Sequence, residues 1–174
     1  MHPLEQKAVL ASMSILVDTR EQDTARARRR YRNFKIPYRR KALPYGDYTW
    51  SAVLPDGTDL EPEHPPAVIE RKMSLDELAG CFTRGRTRFQ REFQRAADNN
   101  ARIYLLVENG SWGELFGHQY RSRLHENAFL ASITAFMVRY NANFIFCREG
   151  ESGRLIKEIL YRDLKERLER GDYG

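Results

Sequence analysis

The stretch 67-AVIERKMSLDELAG-80 begins like a buried strand and then places three charges, Glu70, Arg71 and Lys72, next to one another. Successive side chains of a strand point to opposite faces, so at least one of these charges faces inward. A buried charge is costly unless a partner or a metal compensates it. The strand therefore either ends abruptly at water or holds these residues together for chemistry, with Glu70 and Lys72 on one face.

The order of the remaining segments predicts one α/β domain. The chain has 174 residues, of which 41% are apolar, and these values are typical of a single globular domain with a buried core. Strand-like runs come first and then alternate with helical patterns, which favours a mixed central sheet flanked by helices. We predict an N-terminal tail over residues 1–13 and the domain itself over residues 14–170.

Local signals predict the elements around the quoted stretch. Ser74 and Glu77 have the spacing of a capping box, so a helix is predicted to begin there and to run to about Asp98. Gly85 predicts a break within that helix. Residues 36–54 predict two strands around a turn, and an Asp-Gly pair in the polar loop that follows is a hairpin signal.

The charge balance favours a polyanionic partner. Lys and Arg total 29 against 24 Asp and Glu, a net charge of +5. Nine of the basic residues fall between Arg26 and Lys41, with no acid among them. Two roles are open for this segment: it binds a DNA backbone, or it is a solvated loop.

Nothing in the sequence indicates a membrane or secreted protein. No apolar run approaches the length of about 18 residues that a membrane span needs, and residues 1–14 lack the pattern of a secretory signal. Cys81 and Cys147 have no metal-type spacing, so we predict two buried free thiols in a reducing compartment. The predicted location is intracellular: the cytoplasm or nucleoid, or the nucleus of a eukaryote.

Acids fall at three predicted strand ends. Asp18 ends an apolar run and is followed by Glu21, Asp47 follows a glycine, and Glu70 ends the quoted strand. If these strands are neighbours, the carboxylates converge and repel one another, and a divalent metal removes that cost. Ligands that are all oxygens favour Mg²⁺ or Mn²⁺, and no small-molecule cofactor is expected. Such a metal beside Lys72 suits phosphodiester hydrolysis.

Four stretches together resemble a known family: LVDTRE (16–21), GDY (46–48), VIERKMSLDELAG (68–80) and RGRTRFQREFQ (84–94). They are similar to the nuclease domain of XPF-type structure-specific endonucleases, whose signature is GD, a spacer and ERK-x-x-x-D. The resemblance covers nearly the whole chain. It implies a restriction-endonuclease-like fold of the PD-(D/E)XK kind and metal-dependent cleavage of DNA at branched, flapped or forked sites, in repair or recombination.

The resemblance also implies roles for individual residues by matching position. The metal ligands would be Asp18, Asp47 and Glu70, and Glu21 would support the metal or its waters. Arg71 and Lys72 would be catalytic or contact phosphate, and Asp76 would brace the site from the first helical turn.

The segment after the break at Gly85 is expected to face DNA. By resemblance, and because most of them are basic, the expected DNA-binding residues are Arg84, Arg86, Arg88, Gln90, Arg91 and Arg95. Four of these arginines are spaced three or four residues apart and share one helical face, with Phe89 and Phe93 anchoring the other side. A solvated helix face is the alternative interpretation.

Other functions stay open beside a nuclease. The same family includes domains that have lost their acids and only position DNA, and the superfamily includes resolvases and exonucleases. A homodimer is expected from the resemblance, and the apolar faces of residues 125–141 and 154–168 either form its interface or pack on the sheet. No helix-hairpin-helix module follows the domain, so a stand-alone version is expected, and a piece of a longer protein is the alternative.

Overall fold

The structure is a computed structural model that describes residues 1–172. Within that range there are seven strands and seven helices. The strands are β1 (Ser14–Asp18), β2 (Tyr38–Lys41), β3 (Tyr48–Val53), β4 (Asp59–Leu60), β5 (Ala67–Lys72), β6 (Arg102–Glu108) and β7 (Asn143–Cys147). The helices are α1 (Pro3–Ala11), α2 (Ala25–Arg32), α3 (Leu75–Phe82), α4 (Arg86–Asp98), α5 (Trp112–Phe116), α6 (Glu126–Tyr140) and α7 (Glu149–Arg170).

The strands form one mixed sheet in the order β2-β1-β3-β5-β6-β7, with β4 paired to β3. The pairs β1–β2, β5–β6 and β6–β7 are parallel, whereas β1–β3 and β3–β5 are antiparallel. This arrangement confirms the predicted α/β fold with a mixed sheet flanked by helices. It also makes β1, β3 and β5 neighbours, so the three acid-bearing strand ends lie side by side.

The turn over residues 42–47 joins strands that are not partners. The sequence predicts two strands around a turn there, and both strands are present. However, β2 pairs with β1 in parallel, and β1 separates it from β3, so the chain crosses the end of β1. The hairpin expected at Asp56-Gly57 is confirmed, because Ala52 of β3 pairs with Leu60 of β4.

Both faces of the sheet are buried, which explains the long apolar runs of β5 and β6. On one face, α3, α4 and α6 contribute an aromatic cluster that includes Phe82, Phe89 and Phe136. On the other face, α7 packs Ile156 and Leu160 against the strands. The apolar faces of α6 and α7 therefore pack in the core, which is one of the two roles that the sequence leaves open for them.

The first residues differ from the predicted tail. Residues 3–11 form α1, which has a capping box between His2 and Glu5 and a proline at its first position. Val9 and Met13 are buried, and the Gln6 side chain donates to the Leu168 carbonyl of α7 at 3.4 Å. The helix escapes sequence analysis because only one of its side chains, Val9, is buried, so it has almost no apolar periodicity.

The helix after β5 begins and breaks where the sequence predicts. The Ser74 hydroxyl accepts the Glu77 N–H at 3.2 Å, and the Glu77 carboxylate accepts the Met73 N–H at 2.6 Å. The segment divides at Gly85 into α3 and α4. The break turns α4 back along the sheet, so its polar face lies opposite the ends of β3 and β5.

Two further sequence expectations concern the thiols and the membrane. Cys81 and Cys147 are both free, as predicted, but only Cys147 is buried, whereas Cys81 is partly exposed. Over residues 1–172 there is no helix with the length and apolar character required to cross a bilayer.

Candidate active site

The acid-bearing strand ends surround one cavity of about 910 Å³, which we call the active-site cavity. The acids in its lining are Glu21, Asp47, Glu70, Glu77 and Glu92, and its basic residues are Arg20, Arg26, Arg30, Arg71, Lys72, Arg88 and Arg95. Asp47 is fixed between its neighbours by its backbone, since its N–H donates to the Ile69 carbonyl and its own carbonyl accepts the Asp18 N–H, both at 2.8 Å.

Gly46 sets the backbone that presents Asp47. Its φ of +71° lies in the left-handed region, and a Cβ at this position would lie 2.6 Å from the Val68 Cβ. The Gly46 N–H donates to the Glu92 carboxylate of α4 at 3.1 Å. The turn before Asp47 is therefore packed against β5 on one side and bonded to α4 on the other.

Replacing Gly46 with alanine is expected to destabilise the fold by about 3 kcal/mol or more, because strain and a clash act together. Gly57→Ala is the matched control, since Gly57 also has a positive φ, +85°, but has nothing within 4 Å of an added Cβ. The control should cost only about 1 kcal/mol. Denaturant titration of both variants measures the difference, and equal losses would show that the contact with Val68 is unimportant.

Glu70 and Lys72 face the same side of β5 and form an ion pair. Glu70 is only 4% exposed, and its Oε2 has no hydrogen-bond partner in the protein. Burial raises the pKa of Glu70, although Lys72 opposes this rise. Burial alone would lower the pKa of Lys72, but the carboxylates of Glu70 and Asp47 outweigh it and keep that pKa above its ordinary value. Lys72 is therefore a cation at neutral pH.

Asp47 completes a pair of carboxylates that resist ionisation. Burial raises its pKa well above the usual range, and the nearby charge of Glu70 raises it further. One oxygen, Oδ2, accepts the Arg71 N–H at 2.7 Å, which fixes the carboxylate in place. The strand ends thus hold two acids close together at a cost that a bound cation would relieve.

The donor set fits a divalent cation of the Mg²⁺ or Mn²⁺ type. Two carboxylates converge here. The Glu70 Oε2 accepts no hydrogen bond from the protein, so this oxygen is available as a metal ligand. No three His, Cys, Asp or Glu side chains within residues 1–172 are grouped closely enough to hold an ion by themselves. A site with two protein carboxylates is compatible with Mg²⁺, which proteins bind through one or two carboxylates together with waters and substrate phosphates.

Asp18 does not line the active-site cavity, which disagrees with its predicted role as a metal ligand. Its Oδ1 accepts the backbone N–H and the Nε–H of Arg20, each at 2.7 Å, and its Oδ2 accepts the Leu43 N–H at 2.7 Å. These bonds hold the loop after β1 to the turn after β2. The carboxylate is buried, and both of its oxygens are engaged in these contacts.

Arg71 points to the opposite face of β5, where it joins a network of buried ion pairs. Its guanidinium lies 3.3 Å from both Glu21 and Glu108. Glu21 also accepts the Tyr48 hydroxyl at 2.7 Å and lies 3.4 Å from Arg30. The residues expected to support a metal and to contact phosphate therefore bind each other along one wall of the active-site cavity.

Asp76 braces a neighbouring loop. Its Oδ1 accepts the N–H groups of Arg121 and Ser122 at 2.8 and 2.9 Å. The side chain lines a smaller cavity of about 390 Å³ that also includes Glu70 and Lys72. The predicted bracing role is compatible with these contacts, but what Asp76 holds directly is the loop before α6.

The residues expected to face DNA divide between two sides of α4. Arg88 and Arg95 line the active-site cavity, and Arg84 and Arg88 line the smaller cavity beside it. Arg91 lies on the same exposed face. Arg86 and Gln90 are on the other side, where the Arg86 guanidinium lies 3.5 Å from the Ser132 hydroxyl of α6. These two residues are separated from the arginine face.

A family comparison agrees with this geometry. The model of the ERCC4 domain family matches residues 17–159. The chain belongs to the ERCC4 domain family. Family membership supports a nuclease or DNA-binding role, and it confirms the resemblance to XPF-type nuclease domains that the motifs indicate. No curated protein matches the chain.

Two solved structures resemble this ERCC4 domain. XPF from Aeropyrum pernix has a TM-score of 0.61 and 20% sequence identity, and the match covers 87% of this chain and 68% of that one. XPF from Aeropyrum pernix in complex with DNA has a TM-score of 0.61 and 22% identity, covering 88% and 65%. The chain thus spans about two thirds of the length of these structures, and the likeness confirms the XPF-type fold.

Sequence analysis missed several residues in the cavity of this ERCC4 domain, and one that binds them from outside its lining. Glu92 lies on the arginine face of α4 and could have been found by its helical spacing from Arg88 and Arg95. Arg26 and Arg30 of α2 bind Glu108, at 2.6 and 3.2 Å, and are hidden in the sequence within the long basic run. No local pattern marks Glu108, because its partners come from distant segments.

Proposed function

We propose that this ERCC4 domain is a metal-dependent DNA endonuclease that hydrolyses phosphodiester bonds in branched, flapped or forked DNA, in repair or recombination. The observation that carries the proposal is the pair of a partly buried Asp47 and a buried Glu70, with one Glu70 carboxylate oxygen unpartnered, next to a charged Lys72. Family membership and the XPF-type fold support it. Action on DNA implies an intracellular location.

Asp47 and Glu70 are the residues proposed to hold Mg²⁺ or Mn²⁺. Such an ion, when bound, would polarise a phosphate and lower the pKa of a nearby water. The Arg71 N–H orients the Asp47 carboxylate, and Gly46 and Glu92 fix the turn that carries it. Asp18, proposed from its contacts as a positioning residue, holds the loops on the outer side.

The basic residues of the cavity are proposed to bind the scissile phosphate and its neighbours. Lys72 is charged and held by Glu70 beside the acid pair, so it supplies positive charge where the transition state gains negative charge. Arg88 and Arg95 face the same cavity from α4 and are exposed. We propose that they bind backbone phosphates near the cleaved bond.

The substrate and the assembly are the finer parts of the proposal. XPF from Aeropyrum pernix has been solved with DNA, which supports DNA as the ligand here. A homodimer is proposed from the family resemblance. The exposed apolar side chains Met137 and Val138 on the outer side of α6 are compatible with it.

A catalytically silent DNA-binding module is the second candidate. Such a module has no need of the repulsive pair Asp47 and Glu70, and both acids are present, with Glu70 buried and Asp47 partly buried. A resolvase or exonuclease of the same superfamily would keep the acids and differ in its substrate. The acid pair therefore favours an enzyme, and the substrate panel below separates the enzymes.

The decisive experiment is cleavage of labelled linear, flap, fork, splayed-arm and four-way DNA, each with EDTA, Mg²⁺ or Mn²⁺. We expect cleavage only with a divalent metal, and faster at the branched substrates than at the linear duplex. Preference for the four-way substrate would indicate a resolvase, and digestion from ends an exonuclease. Tight DNA binding with no cleavage under any condition would favour the silent module.

A further inference from the structure

A second basic cavity lies between α2 and β2, the edge strand of the sheet. It measures about 700 Å³, and its lining includes Arg28, Arg32 and Lys35 together with Tyr31 and Tyr38. No acid is among its lining residues. The active-site cavity and its residues are on the other side of α2, so this second cavity, the α2–β2 cavity, has no role in the site described above.

The positive charge of the α2–β2 cavity is only partly compensated. Arg28 pairs with Asp23 at 2.9 Å, whereas Arg32 and Lys35 have no ion-pair partner among residues 1–172 and are exposed. By contrast, two further basic residues of β2, Arg39 and Lys41, both pair with Glu61. Free positive charge is therefore concentrated where the cavity is, which favours an anionic ligand.

Two tyrosines give the cavity an aromatic wall. Tyr31 is 4% exposed, and its hydroxyl is buried without a hydrogen-bond partner in the protein. Tyr38 is 45% exposed, and its ring packs 4.8 Å from the ring of Tyr31. A supported ring with an open face beside unpaired cations is the combination that binds single-stranded nucleic acid, in which bases stack and phosphates meet basic side chains.

α2 is the wall between the two cavities. Arg26 and Arg30 on one side of the helix line the active-site cavity, and Arg28 and Arg32 on the other line the α2–β2 cavity. A helix with its side chains is about 10 Å across. A single DNA strand that leaves the active-site cavity thus has a short path around α2 to the α2–β2 cavity.

We propose that the α2–β2 cavity binds single-stranded DNA, with Arg32 and Lys35 on the phosphates and Tyr38 stacked on a base. Tyr31 supports the stacking ring from the core side. The bound segment is the unpaired arm of a branched substrate, and this part rests on the proposed function. Duplex DNA has no exposed base face for Tyr38, so the site distinguishes single strands from duplexes.

The test is fluorescence anisotropy with an oligothymidine of about 15 nucleotides in EDTA, so that binding is measured without cleavage. The first variant combines Arg32→Gln with Lys35→Asn, because Lys35 has a φ of +57° and asparagine tolerates that conformation. We expect affinity to fall about tenfold and the salt slope to decrease by about 1.4 for two lost phosphate contacts. Lys7→Gln with Arg154→Gln removes the same charges from exposed positions on α1 and α7 and should bind as the wild type does.

Tyr38 provides the second arm of the test. Tyr38→Ala should weaken binding of the oligothymidine at least about fivefold, whereas Tyr38→Phe keeps the ring and should bind normally. Equal losses in the two charge variants would overturn the proposal, since net charge alone would then explain binding. Wild-type binding by Tyr38→Ala, or an equal effect of that variant on a duplex of the same length, would overturn it as well.

Cleavage of a splayed-arm substrate links the cavity to the proposed function. The Arg32→Gln, Lys35→Asn variant should raise KM about tenfold with kcat unchanged, because it keeps every active-site residue. An unchanged KM would show that the cavity does not bind the unpaired arm of the substrate. If the wild-type protein cleaves nothing, the proposed function fails, and the binding measurements in EDTA still decide whether this cavity takes a single strand.

Discussion

Asp47→Asn should reduce metal-dependent cleavage at least about 1,000-fold while leaving DNA affinity nearly unchanged. The substitution keeps the shape of the side chain, and its amide oxygen is still able to accept the Arg71 N–H. It removes one of the two charges proposed to hold the ion. The arginines of α4 remain, so binding to the DNA backbone persists. Single-turnover cleavage with Mg²⁺ and anisotropy in EDTA measure the two quantities.

The same substitution should stabilise the metal-free protein. The pKa of Asp47 is raised by burial and by Glu70, so the folded state disfavours the ionised carboxylate at neutral pH. A neutral asparagine avoids that penalty, and we expect the free energy of unfolding in EDTA to rise by about 1 kcal/mol or more. A misfolded variant would lose stability as well as activity. Loss of activity together with a gain in stability would therefore exclude misfolding as the cause.

Asp98→Asn is the matched control for Asp47→Asn. Asp98 is exposed at the end of α4 and lies outside the lining of the active-site cavity. Its replacement should leave both cleavage and stability close to the wild type. Wild-type rates from Asp47→Asn would end the assignment of this site.

Glu108→Gln is expected to give the largest loss of stability, about 3–5 kcal/mol. Glu108 is fully buried at the end of β6 and pairs with Arg26, Arg30 and Arg71. The neutral amide leaves three guanidinium groups without their shared counter-charge, and Arg30 is itself 3% exposed. Denaturant unfolding monitored by circular dichroism at neutral pH measures the loss. Glu166→Gln, which removes an exposed partner of Arg170, should cost less than about 1 kcal/mol.

The effect of Glu108→Gln should shrink in acid. Burial alone would raise the pKa of Glu108, but Ser152 and the three arginines outweigh it and hold that pKa below its ordinary value. A lowered pKa contributes stability above the pKa of the unfolded chain, about 4.3, and that stability is lost as pH falls through the folded value. The free energies of unfolding of wild type and variant should therefore differ fully at neutral pH and approach each other as the pH falls below about 4. A gap that stays constant would show that the carboxylate charge is not what Glu108 contributes.

The fold and the centre of the site follow from patterns that are local in the chain. The apolar runs ending in Asp18 and Glu70, the glycine before Asp47 and the break at Gly85 each carry their own signal, and the structure has the expected element at each place. The acids of β3 and β5 meet because antiparallel neighbours bring the start of one strand beside the end of the next.

The parts that sequence analysis missed depend on pairing between distant segments. Arg20 forms an ion pair with Asp18. Nothing in LVDTRE distinguishes such an arginine from one that binds phosphate. Arg71 meets Glu108 because β5 and β6 are parallel in a particular register. β2 lies at the edge of the sheet because it pairs with β1. Its short polar sequence does not specify that partner.

Alkylation of Cys147 is expected to measure how often the fold opens around its buried thiol. Burial raises the pKa of Cys81, and it raises that of Cys147 to about 12, so almost none of either thiol is present as the reactive thiolate at neutral pH. Cys81 is only partly buried and lines the smaller cavity, whereas Cys147 is buried. An alkylating reagent therefore reaches Cys147 only when the end of β7 separates from its neighbours, and the rate of its modification follows how often that part of the fold opens.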